Sequence, residues 1–137
     1  MTTAMRHLIS AMLLVVAAIH LLPVTGVLGG DKLTALYGLR FNDPNLFILM
    51  RHRAVLFGLL GLFMALSAFR PSLQPLAFAA GFASVLSFLW LAWSVGGYNA
   101  LIARVFVADL VALACLVVGL AAYAAERKNV WLASSAG

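Results

Sequence analysis

Asp109 is the one acidic residue deep inside an apolar stretch of this 137-residue chain, and it follows Arg104 by five positions. Arg51-His52-Arg53 forms a second polar group between apolar runs, and His20 a third. Guanidinium, imidazole and carboxylate groups in such surroundings can pair with one another, hold an anion or carry a proton. Other chemistry is poorly supplied. Glu126 lies far from Asp109 in sequence, so a paired-carboxylate site has no second acid, and no Gly-x-Ser-x-Gly, phosphate loop or Cys-x-x-Cys occurs. Cys115 is the only cysteine, which excludes an intramolecular disulfide and reads as a small packing residue. His20 and His52 lack a His-x-x-His partner, and two arginines flank His52. No metal site and no cofactor is expected, and the chain reads as a non-enzyme.

The elements that must position these groups follow from composition. Hydrophobic residues make up 65% and charged residues 9% of the chain, with a mean hydropathy of +1.08. A soluble domain is roughly half apolar and about a quarter charged, and one this small cannot hide so much apolar surface. The expected fold is all-α, an integral membrane four-helix bundle forming a single domain over 1–137. Each span needs roughly 20 apolar residues. The runs predict helices over about 6–28, 44–69, 73–95 and 100–125, with a flexible tail over 126–137. Arg6-His7 before an apolar run resembles a leader, but the stretch reads as the first span. Asp43-Pro44 supplies a cap and a first-turn proline for the second span, and Asn99 a cap for the fourth. The longest connection, 29–43, contains LTALYGL, enough for one or two surface turns.

Nine Lys and Arg against four Asp and Glu give a net charge of +5. The basic residues are scattered, which argues for topology control and lipid headgroups and against nucleic acid. Arg6, Arg70, Arg127 and Lys128 fall on the side of the termini, Lys32 and Arg40 on the other, so both termini are expected in the cytoplasm.

Counting from the non-cytoplasmic end of each span, His20, His52, Ser87 and Asp109 lie at roughly 12–15 Å depth, at 1.5 Å per residue. Arg51 continues the small-residue stripe Ala54, Gly58, Gly61, Ala65 and Ala68, and Arg104 extends Ala108, Ala112, Cys115, Gly119 and Ala122. Small residues mark close helix contacts in membranes. The expected ion pair is therefore Arg51–Asp109, with Arg104 or His20 as further partners and Arg53 reaching to headgroups. The pairing either holds the bundle in register or lines a pocket for an acidic headgroup or small anion. Ser84 and Ser87 share a helix face and bond helix carbonyls or join the layer. Trp90, Trp93, Tyr98, Tyr123 and Trp131 read as interfacial anchors, Trp90 deep enough to line the pocket. The candidate ligand-binding residues are Arg51, His52, Arg104, Asp109, His20, Ser87 and Trp90.

The stretches DPN (43–45), RHRAVLFGLLG (51–61) and AWSVGGYNA (92–100), with R-x4-D at 104–109 and LYGL at 36–39, resemble a group of small bacterial four-helix membrane proteins without settled function. More remotely, four short spans look like the DoxX-like membrane proteins, some linked to quinone-dependent oxidation. The resemblance implies a multi-pass protein of the bacterial inner membrane. Such proteins are sometimes labelled phosphopantetheine adenylyltransferase, but that soluble α/β enzyme carries a His-x-Gly-His signature missing from this chain. The expected role is structural or accessory, with membrane lipids as partners and assembly into a homo-oligomer or a larger membrane complex. The alternatives are an accessory subunit of a quinone-linked oxidoreductase and a small proton-coupled transporter using Asp109.

Overall fold

The computed structural model describes residues 3–135. The described residues form helices and connecting turns, with no strand among them. Five α-helices run in order: α1 (Thr3–Leu21), α2 (Gly30–Tyr37), α3 (Pro44–Ala68), α4 (Gln74–Val95) and α5 (Ala100–Ser135). Four segments are long and apolar enough to cross a membrane: Thr3–Leu28, Pro44–Ala68, Pro71–Val95 and Ala100–Ser135. The chain is thus an all-α bundle with the character of a small multi-pass integral membrane protein.

Local chemistry explains the boundaries. Pro23 has no N–H to give the Ile19 carbonyl, so the α-helix stops at Leu21 and the chain continues as a 3-10 segment over Leu22–Leu28. The helix expected over about 6–28 is therefore an α-helix and a 3-10 segment that together make one span, Thr3–Leu28. The chain then turns through Gly29 into α2, which ends at Gly38 in the left-handed region at φ 69°. Asp43 caps α3 as expected, its Oδ1 accepting from the Asn45 N–H at 2.8 Å. Asn99 caps α5, its Oδ1 accepting from the N–H groups of Leu101 and Ile102 at 3.0 and 2.9 Å.

The flexible tail expected after Ala125 is a correction. α5 continues unbroken to Ser135, because 126–135 contains helix formers and neither Gly nor Pro. At 36 residues α5 is about 54 Å long, well beyond the roughly 30 Å hydrocarbon core.

α1 packs most extensively against α3 and α5, while α4 covers α5 and, more lightly, α3. The core joins Ile9, Leu13 and Val16 of α1 to Met64, Phe78, Val85 and Leu116. Close approach is bought at glycines. A Cβ on Gly61 would stand 2.8 Å from Leu21 Cγ and 3.1 Å from the Ala17 carbonyl oxygen, so only glycine lets α1 and α3 come this near.

Candidate functional site

At the end of the bundle where α2 packs, the helices separate around a cavity of about 260 Å³. Its walls come from α1, the 3-10 segment, α2, α3 and α5, and include His20, Tyr37, Arg53, Phe57, Arg104 and Asp109. The rest of the lining is mainly aliphatic: Ile19, Leu22, Leu36, Leu101 and Val105.

The short helix α2 is held over this space by its C-terminal end. Asn99 Nδ2 donates to the Tyr37 carbonyl at 2.8 Å, so the residue that caps α5 also ties down α2. Gly38 passes close beneath, where a Cβ would lie 3.1 Å from Asn99 Nδ2. Tyr37 is buried, and its hydroxyl accepts from Arg53 Nη1 at 2.9 Å. The Arg53 guanidinium lies 5.3 Å from the centroid of the Tyr37 ring and 4.7 Å from that of Phe57. Phe57 in turn stands 5.6 Å from the His20 ring, centroid to centroid. Two rings thus clamp one cation at the cavity wall.

His20 is fixed from both sides. Its Nδ1–H donates to the Val16 carbonyl at 2.9 Å, and its Nε2 meets the Ser84 hydroxyl at 3.0 Å. A carbonyl only accepts, so Nδ1 carries the proton and the ring cannot turn freely. With both nitrogens engaged, the His20 ring is fixed in the cavity wall. Among the described residues no three His, Cys, Asp or Glu side chains gather as a metal group would require.

Asp109 is buried, with 8% of its surface exposed, and lines the cavity. Among the described residues its carboxylate makes no hydrogen bond and no ion pair within 4.0 Å. Arg104, one to two turns earlier on α5, is exposed at the cavity's edge.

The expected residues divide accordingly. His20, Arg104 and Asp109 meet at the cavity. Arg51 does not: it is exposed, its Nε donates to the Val27 carbonyl at 3.0 Å, and its guanidinium lies 5.3 Å from the Phe47 ring centroid. The expected Arg51–Asp109 pair is therefore replaced by an arrangement in which Arg53, expected to face headgroups, shares the cavity with Asp109. The small-residue stripe does pack, with Ala54, Gly61 and Ala68 buried. It faces α1 and the 3-10 segment, whereas Asp109 is on α5, so extending it to Arg51 led to the wrong neighbour. His52 is exposed on α3 and outside the cavity. Ser87 is exposed and donates to the Ser84 carbonyl, leaving Ser84 to join the polar layer. Trp90 is 63% exposed and packs with Trp93 at 5.5 Å between ring centroids, on the outside of α4.

Tyr37 and Arg53 are the polar cavity residues that the candidate set lacks. A signal for Tyr37 exists in the sequence: an amphipathic tyrosine one position before a C-capping glycine. Comparison with protein-family models, curated proteins and solved structures gives no match to this chain.

Proposed function

We propose that the chain is a non-catalytic lipid-binding protein of a bacterial inner membrane, whose cavity holds the phosphate-bearing head of an amphipathic lipid. The observation that carries this reading is the pairing of two guanidiniums, Arg53 and Arg104, with a mainly aliphatic wall in one cavity among membrane-spanning helices. Arginine presents several N–H donors in a planar fork suited to phosphate oxygens. Arg53 is already oriented by Tyr37 and Phe57, so little side-chain freedom is lost on binding. The aliphatic residues suit the glycerol and upper acyl region of the same molecule.

Proton-coupled transport by Asp109 has less support. Among the described residues, buried polar groups return only at Ser67, Gln74 and Glu126, and the buried α5 positions between Asp109 and Glu126 are Ala112, Leu116, Gly119 and Ala122, which cannot pass a proton along that helix. The test is native mass spectrometry of the protein released from mild detergent. Wild type retains a phospholipid, and Arg53→Ala combined with Arg104→Ala loses it. Equal retention by the two proteins contradicts the reading.

A further inference from the structure

The carboxylate in this cavity narrows the head it accepts. Asp109 is more than nine-tenths buried, faces the cavity and has no hydrogen-bond or ion-pair partner among the described residues. Its carboxylate opens on the cavity and makes no hydrogen bond to the described residues, so whatever fills the cavity must solvate it, and a purely anionic head would add a like charge beside it. A head that brings its own cation meets that need.

We infer that the cavity takes a phospholipid whose head carries a primary ammonium next to its phosphate, the ammonium received by Asp109 and the phosphate by Arg53 and Arg104. The inference rests on the lipid-headgroup reading above and specifies the class of head. Arg104 and Asp109 are five residues apart on α5, about 7.5 Å of helical rise, so opposite charges stand at two heights of one wall. A zwitterionic head entering ammonium-first presents its two charges in this order, the ammonium at Asp109 and the phosphate nearer the edge at Arg104. A quaternary ammonium fits less well. It has no N–H to donate to the carboxylate, and it favours aromatic faces, while the Tyr37 and Phe57 rings are already taken by Arg53. A primary ammonium has three N–H donors.

The test reconstitutes the full chain in nanodiscs holding equal amounts of phosphatidylethanolamine, phosphatidylcholine and phosphatidylglycerol. The lipid that stays with the protein after extraction into mild detergent is then quantified. Wild type is expected to retain phosphatidylethanolamine about tenfold over phosphatidylcholine, the effect of roughly one charge-assisted hydrogen bond. Asp109→Asn, close to the native side chain in shape, is expected to lose that preference and to hold phosphatidylglycerol at least as well as phosphatidylethanolamine. Asp109→Glu keeps the preference. Retention of phosphatidylcholine or phosphatidylglycerol by wild type at the level of phosphatidylethanolamine overturns the inference, and this readout needs no variant to fold. Arginine-dependent retention without a head preference removes only this inference. Loss of all lipid from wild type removes the lipid-headgroup reading as well.

Discussion

Two regions of the bundle are built on opposite principles. Around Ile9, Met64, Phe78 and Leu116 the helices interlock through buried apolar side chains, and clefts open again beyond this layer, beside Gln74 and Glu126. On the side of Tyr37, Arg53 and Asp109 they stand apart around a cavity edged with charge. The change comes near His20, where α1 ends at Leu21 and Pro23 lies in the 3-10 segment that follows. From there two short pieces, the 3-10 segment and α2, take the place of one continuing helix. They cannot fill the same volume, and they bring Tyr37 over the opening. The helix break thus sets where this cavity opens.

The largest effect belongs to the packed half. Phe78→Ala removes a ring that contacts Gly119 and stands 6.1 Å from the Tyr123 ring, centroid to centroid. It should cost about 3–5 kcal/mol of stability, read as a lower unfolding temperature in detergent, with lipid selectivity unchanged in the protein that remains folded. Gly61→Ala follows, since its Cβ meets the Ala17 backbone; a loss of about 1–3 kcal/mol is expected. If either change altered which lipid is retained, the division between the halves would fail.

The cavity half responds in the other direction. Asp109→Leu removes a carboxylate that makes no hydrogen bond or close ion pair among the described residues and whose attraction to Arg53 offsets only part of its burial cost, and should raise the unfolding temperature of delipidated protein by the equivalent of about 1 kcal/mol. A fall in that temperature would mean that the carboxylate has a structural partner. Smallest of all is the coupling between Asp109 and Arg51, which bonds the Val27 carbonyl away from the cavity. The double variant Arg51→Ala with Asp109→Ala should be additive within about 0.5 kcal/mol, whereas Arg53→Ala with Asp109→Ala should not.

These contrasts also separate what could be read from the residues from what could not. Caps are local: Asp43-Pro44 and Asn99 act on N–H groups two or three positions away, so their roles were legible, whereas the end of α5 was not. That His20 and Asp109 meet at one height was legible too, because helical rise is fixed. Which of two arginines enters the cavity was not. Arg51 and Arg53 differ by two positions, and their fates depend on where the 3-10 segment and Tyr37 come to rest. A stripe of small residues announces a close neighbour without saying which helix it is. Ser84 and Ser87 were ambiguous for the same reason, since only the position of α1 brings one of them to His20.

The central claim, that the cavity and not the outer bundle surface binds lipid specifically, is tested most directly by site-specific photo-crosslinking. A photoreactive residue at Leu36, on the cavity wall, is compared with one at Leu59, which is 59% exposed. At Leu36 the expected result is capture of one phospholipid class, lost when Arg53 and Arg104 are both replaced by alanine; at Leu59, capture of mixed bulk lipid indifferent to those changes. The same lipid mixture at both positions, unaffected by the arginines, would contradict the account.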